Sequence, residues 1–233
     1  MPTNQPDQAA AAAPKQASAR VPAATARREA LSAGLRTVGG VGLAWLGLSA
    51  LIKAQAGPAA LALRPPGALP ESDFMAACVR CGLCVRGCPY DVLKLARMTD
   101  PAPLGTPFFT ARDKPCLMCP EVPCAKACPT GALNRKIGSI READMGVAVL
   151  VGHETCLNYK GLACSICVRV CPIKGEAITL QTHVIEGQQR LIPTVHSDQC
   201  TGCGNCEKNC VIREAAIRVL PRPLGLGKEG RRA

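Results

Sequence analysis

Cys78–Pro89 reads CVRCGLCVRGCP, four cysteines spaced C-x2-C-x2-C-x3-C and closed by a proline. Three thiols this close together sit on one tight loop, and each can reach a different iron of a [4Fe–4S] cube. The fourth lies past the turn, and in two-cluster proteins it serves the other cube. Three variants of the run follow it. Cys116, Cys119, Cys124 and Cys128, with Pro129, have a middle gap grown to four residues. Cys156, Cys164, Cys167 and Cys171, with Pro172, have a first gap grown to seven. Cys200, Cys203, Cys206 and Cys210 return to compact spacing, but Val211 stands where the proline should be. The sixteen cysteines divide into quartets I to IV with none left over, which implies four [4Fe–4S] clusters with all sixteen as iron ligands.

Two other uses of cysteine fit less well. Disulfides suit an exported chain with an even cysteine count. Neighbours two residues apart would close strained local loops, however, and the repeated Cys-Pro has no disulfide rationale. Structural zinc favours paired C-x2-C knuckles, often with histidine. Here each quartet is a triplet plus a lone fourth cysteine, and only His153, His183 and His196 are available.

Composition narrows the function further. Aromatic residues make up 3% of the 233 residues, so small aliphatics and the clusters must fill the interior. Folding is then coupled to metal loading. The formal charge of +11 counts cysteine as neutral. Four oxidised cubes with their thiolates, each carrying about −2, bring it to about +3. No basic patch interleaved with aromatics appears, which argues against nucleic acid. A Gly-rich phosphate loop, a nucleophile elbow and an H-E-x-x-H motif are also missing, so no substrate chemistry is expected and the chain does not read as an enzyme.

In chain order, residues 1–56 read as a leader and export signal. The first 25 residues, rich in Ala, Pro, Gln and Ser, read as disordered. Arg27–Arg28 then precede an uncharged run, Thr37–Ile52, containing Gly39, Gly40, Gly42 and Gly47, and a small-residue site at Ala54-Gln55-Ala56. This resembles a twin-arginine signal, with Ala30 and Ser32 in place of its usual Phe and Lys. An uncleaved membrane anchor is the alternative. Export of a folded chain suits cubes that must be assembled before their thiols meet an oxidising compartment. Residues 57–70 read as a proline-rich connector, 71–220 as the four-quartet domain, and 221–233 as a flexible basic tail.

The quartets form an internal repeat, with first cysteines 38, 40 and 44 residues apart. Each unit predicts a short strand, a cysteine loop, a short helix ending near the fourth cysteine, and an exit strand. The fold class is α+β, with tandem bacterial-ferredoxin-like repeats forming two dicluster modules. Strands are expected at Val147–Val151, Ala177–Leu180, Leu191–Val195 and Ala216–Leu220. Proline after the fourth cysteine stops the helix; Val211 predicts a further helical turn into VIREAAIRVL. Quartets I and IV are compact while II and III carry insertions, and a pair of cubes is best built from like halves. Nested pairing is therefore expected: Cys78, Cys81 and Cys84 with Cys210; Cys200, Cys203 and Cys206 with Cys88; Cys116, Cys119 and Cys124 with Cys171; Cys156, Cys164 and Cys167 with Cys128. The competing sign is the exit spacing. Val92 and Ala132 lie four residues past the fourth cysteine, Ala177 and Ala216 six.

From Pro65 onward the chain resembles the NapG/MauM family of ferredoxin-type proteins. The resemblance rests on PPGALPESDFMAACVRCGLCVRGCPYDVLKLA, ARDKPCLMCPEVPCAKACPTGAL, ADMGVAVLVGHETCLNY and LIPTVHSDQCTGCGNCEKNC. It implies an exported four-cluster electron carrier on the periplasmic face of the membrane. Its implied partners are a membrane-integral ferredoxin-type subunit that oxidises quinol and a periplasmic acceptor, nitrate reductase or its cytochrome. The methylamine-utilisation branch, an iron–sulfur subunit of another exported molybdoenzyme and a maturation factor remain as alternatives. Around the quartets, His153 and His196 read as loop hydrogen-bonders. Tyr90 and Tyr159 are possible shields, and Arg80, Arg86, Lys126, Arg169 and Lys208 either tune potentials or are simply solvated.

Overall fold

The structure, a computed structural model, describes residues 62–226, together with Gly42, Trp45, Gly47 and Ser49. Those four are helical and belong to a separate unit, Met1–Leu51. Arg27–Arg28 and Ala54–Ala56 lie outside the described residues. Among the described residues no helix is long and apolar enough to cross a membrane.

Helix α1, Glu71–Ala77, opens after Pro70 with Glu71 and Asp73 in its first turn, where acidic side chains suit the helix dipole. It buries Phe74 and hands the chain to Cys78 in extended conformation. Four one-turn helices then mark the quartets: α2 Leu83–Arg86, α3 Pro123–Lys126, α4 Ile166–Arg169 and α5 Asn205–Lys208. In each, the third cysteine is the second residue, and the fourth follows two residues past the end. Helices this short are unstable alone. Their cysteines and the core must hold them.

The strands are short and pair in a scheme used twice. In the first half β1, Lys94–Leu95, after quartet I pairs antiparallel with β2, Pro107–Phe108, before quartet II. An isolated bridge, Ala68↔Leu133, joins the segment before quartet I to the segment after II. In the second half β3, Val147–Leu150, before quartet III pairs with β6, Ile217–Leu220, after IV. The hairpin of β4, Ile178–Ile185, and β5, Gln188–Val195, joins the segment after III to the segment before IV. Each half therefore interlocks two consecutive quartets. A single core links the halves, with Phe74, Phe109 and Leu133 buried alongside Met145, Ile178 and Ile217.

Several expectations are corrected. The hairpin strands run eight residues each, beyond the stretches expected, because Glu186 and Gly187 both take positive φ (52° and 74°) and close a tight turn. Residues 62–66, read as part of a connector, are buried, and Ala68 and Leu69 pack against the core. Ala62, Leu63 and Arg64 are buried, Leu63 bridges Phe109, and the Arg64 guanidinium pairs with Glu71 and donates to Thr106 Oγ1 at 2.8 Å. Proline content suggested a linker, but the segment makes two isolated bridges, at Leu63 and Ala68, on either side of a turn at Pro66–Gly67.

The tail is corrected in part. Arg222–Gly225 form a helical turn, α6, and Arg222 reaches Asp144 at 2.6 Å and the carbonyls of Ser197 and Cys200 at 2.8 Å. The helix of quartet IV does not continue past Val211. It ends at Lys208, and the Arg112 guanidinium takes the carbonyls of Glu207, Cys210 and Ile212. An arginine from the other half supplies the stop that proline supplies elsewhere.

Candidate metal centres

Local backbone geometry sets the thiols. In quartets I, II and IV the residue before the second cysteine is left-handed: Arg80 (φ 58°), Met118 (φ 57°) and Gly202 (φ 72°). A second left-handed residue precedes the short helix, at Gly82 (φ 73°), Val122 (φ 43°) and Gly204 (φ 91°). Alternating left- and right-handed backbone forms a concavity that suits an anionic group. Quartet III departs from this. In its long first gap the left-handed residue is Gly161 (φ 80°), three before Cys164, and Ser165 before α4 has φ −136°.

The cysteines gather in four sets. Cys116, Cys119 and Cys124 line a pocket with Cys88, beside Tyr90 and Phe109. Cys200, Cys203 and Cys206 line a second with Cys171, beside Ala148 and Val219. Cys156, Cys164 and Cys167 line a third with Cys210, beside Leu150 and Ile217. Cys78, Cys81 and Cys128 are the cysteines whose thiols interact with that of Cys84.

The fourth cysteine of each quartet therefore crosses to its sequence neighbour, I with II and III with IV. The nested pairing is overturned. The reason is packing. The end of α2 lies directly on α3, so that a Cβ on Gly87 would be 3.2 Å from the Ala127 Cβ, and α4 packs on α5. Exit spacing, shared within I–II and within III–IV, was the better guide than loop length.

Burial dominates the electrostatics of the metal-free thiols. It pushes Cys84 and Cys167 up to about 11, with the neighbouring cysteines adding to the effect. Cys116 and Cys124 are pushed up to about 12 in the same way, and Cys206 is raised well above the ordinary thiol range. Cys128 goes the other way. Burial raises it, but hydrogen bonds from the Leu133 N–H (3.5 Å) and around Thr130 outweigh that and lower it.

The donor set fits an iron–sulfur cube. Three thiols from one loop and a fourth from the adjacent helix end surround each site. Amide groups already face the sulfurs: the Ala148 N–H donates to Cys200 Sγ and the Asn205 side chain to Cys203 Sγ, each at 3.5 Å. Such bonds offset negative charge on cluster sulfur.

The flanking residues sort out as follows. His196 shares a hydrogen bond with Thr179 Oγ1 at 2.9 Å, a loop role as expected. His153 stacks on Tyr159, centroids 4.8 Å apart, and Tyr90 lines the quartet II pocket. Arg80, Arg86, Lys126, Arg169 and Lys208 are all exposed, and Lys126 pairs with Glu121 at 2.8 Å. Sequence reasoning missed Arg112 and Asn205. A lone arginine and a lone asparagine carry no pattern, and their partners lie about ninety residues away.

A family model described as a 4Fe-4S dicluster domain matches residues 77–132 and 162–212. The first span takes in quartets I and II, the second quartets III and IV beyond Cys156, the same grouping as the strand pairing. The chain is 66% identical over 210 residues (90% of this chain, 96% of the relative) to the methylamine utilization ferredoxin-type protein MauM of Methylorubrum extorquens. It is 64% identical over 205 residues (88% and 92%) to the protein of that name in Paracoccus denitrificans. It is 52% identical over 208 residues (88% and 89%) to the ferredoxin-type protein NapG of Escherichia coli. No solved structure matches the chain. With four cysteine sets of the right chemistry and relatives this similar along most of its length, the chain belongs to the NapG/MauM family of ferredoxin-type iron–sulfur electron-transfer proteins.

Proposed function

We propose that this chain is a four-cluster electron carrier with no substrate site of its own, built as two ferredoxin-like dicluster modules in tandem. The observation that carries the proposal is the gathering of all sixteen cysteines into four sets of four. Bound there, [4Fe–4S] clusters supply one-electron transfer. The chain's part is to hold each cube between two helix ends, to bury it among Val, Ile, Leu and Phe side chains, and to aim amides at its sulfurs. Buried thiols that keep their protons at neutral pH release them as iron binds, since the ligand is the thiolate.

The carrier works on the periplasmic face of the membrane, exported folded through Arg27–Arg28, between a membrane-integral ferredoxin-type subunit that oxidises quinol and a periplasmic redox partner. Identity of 64–69% to the MauM relatives against 51–52% to the NapG relatives supports the methylamine-utilisation system as the one it serves. A periplasmic reductase of nitrate type is the second reading, carried by the NapG relatives.

Iron and acid-labile sulfide in the purified protein test the first claim. Each is expected at about sixteen per chain, with reversible reduction. Zinc in place of iron, or mapped disulfides, rejects it. Replacing Arg27 and Arg28 with lysine is expected to leave a cluster-loaded protein in the cytoplasm. Continued export of that variant rejects the twin-arginine route.

A further inference from the structure

The halves of the chain meet at two cluster ligands. The Cys116 N–H donates to the Cys203 carbonyl at 2.8 Å. Among the described residues this is the one backbone hydrogen bond between cysteines of different halves. Asn205, the first residue of α5, spans the same gap. Its side-chain amide donates to the Cys116 carbonyl at 3.1 Å and to Cys203 Sγ at 3.5 Å. Thr201 Oγ1 donates to Met118 Sδ at 3.3 Å, tying the two cysteine loops together on one side. On the other, Arg112 takes carbonyls at the end of α5 and just beyond it. Gly204 sits so close to Ala111 that a Cβ there would lie 2.5 Å from the Ala111 Cβ.

We propose that electrons cross between the halves at the Cys116–Cys203 contact, with Asn205 as the positioning residue that holds it. The four clusters then form one wire, in the order I, II, IV, III, each named for the quartet that gives it three ligands. This rests on the four-cluster reading above.

The order follows from connectivity. Cross-donation of the fourth cysteine places cluster I beside II and cluster III beside IV. The Cys116–Cys203 contact joins II to IV. The path between those two is short: the side chain and backbone of Cys116, one hydrogen bond, then the backbone and side chain of Cys203. One electron leaves a reduced [4Fe–4S] cluster in one half and reduces an oxidised one in the other, with no bond made or broken and no proton moved.

The two ends of the wire face outward differently. At the cluster I end, Cys81 is the one exposed cysteine of the sixteen. At the cluster III end, Cys164 borders a cavity of about 500 Å³ between the lengthened Cys156–Cys164 gap and the β4–β5 hairpin. Partners that give and take electrons therefore meet the chain at opposite ends of the wire, at quartets I and III, not at II and IV.

The test uses the holoprotein, photoreduced by less than one electron per chain and followed by rapid-freeze EPR. Iron content is measured first. A wild-type protein well short of about sixteen iron overturns the four-cluster reading, whatever the junction does. Cys124→Ser and Cys206→Ser identify the signals of clusters II and IV. With iron intact, Asn205→Asp is expected to slow electron exchange between the halves at least tenfold. Asn205→Ala, which removes both hydrogen bonds without adding charge, is expected to lower the potential of cluster IV and leave clusters I and III unmoved. Asn205→Gln, which keeps the donor, should restore most of both. Exchange at the wild-type rate with an unmoved cluster IV potential in iron-replete Asn205→Asp and Asn205→Ala overturns the role of Asn205. The order is tested in the fully reduced protein, where neighbouring paramagnets broaden one another. Loss of cluster II is expected to sharpen the signals of I and IV. Sharpening of III with IV unchanged overturns the order.

Discussion

Gly202 shows how tightly the quartet IV loop is fitted against the segment that leads into β3. Its φ is 72°, and a Cβ there would lie 2.5 Å from the Gly146 carbonyl oxygen and 2.6 Å from the Gly146 carbonyl carbon. That is backbone against backbone, so no side chain can swing away. Gly202→Ala is expected to cost about 3 kcal/mol or more, from the close contact and the left-handed backbone together. Denaturant melting of the holoprotein checks it, and an unchanged midpoint contradicts it. The buried thiols give a second expectation, for the metal-free protein under reductant. Folded-state values of about 11 to 12 for Cys84, Cys116, Cys124 and Cys167 lie above the ordinary 9.0, so the folded chain holds these protons more tightly than the unfolded one. The stability they contribute is full below pH 9 and is lost as pH rises through the folded values. Circular dichroism against pH should show residual structure melting across that window, whereas stability unchanged from pH 9 to 12 contradicts it. At this scale the sixteen cysteines were fully legible, because their spacing repeats. Asn205 and Arg112 were not, because what they do depends on carbonyls that the fold alone brings near.

The elements were legible where the sequence carries a local stop or turn. Proline after Cys88, Cys128 and Cys171 marked three helix ends, and the apolar stretches of β3 and β6 stood out between charged neighbours. Legibility failed where the stop came from elsewhere in the chain. Val211 suggested a longer helix, but Arg112 takes five carbonyls between Glu207 and Arg213 and ends it. Arg112→Gln is expected to destabilise the protein by about 2–3 kcal/mol, since hydrogen bonds from a charged donor are lost and half-buried carbonyls are left without partners. Cys210 lies within the gripped segment and completes the quartet III set, so cluster III should be lost first as that segment loosens. Iron per chain and the cluster III EPR signal, followed on warming, check this. Equal loss from all four sites contradicts it. Residues 62–66 failed for a different reason: a proline-rich segment reads alike in a linker and in a packed turn, and only burial tells them apart.

For the whole molecule, repetition in the sequence announced two modules, and the doubled strand pairing agrees with it. What it did not announce was which quartets belong together. Loop length suggested like with like, but loop length reports only how the chain reaches its cysteines. Exit spacing reports how the helix ends meet the strands that pair them, and there I matches II and III matches IV. The most direct measurement of the account is EPR on paired ligand variants of the loaded protein. Cys128→Ser and Cys84→Ser are expected to perturb one and the same cluster signal, and Cys210→Ser and Cys164→Ser a second one. If Cys210→Ser instead perturbs the signal that Cys84→Ser perturbs, the pairing is nested and the account is wrong.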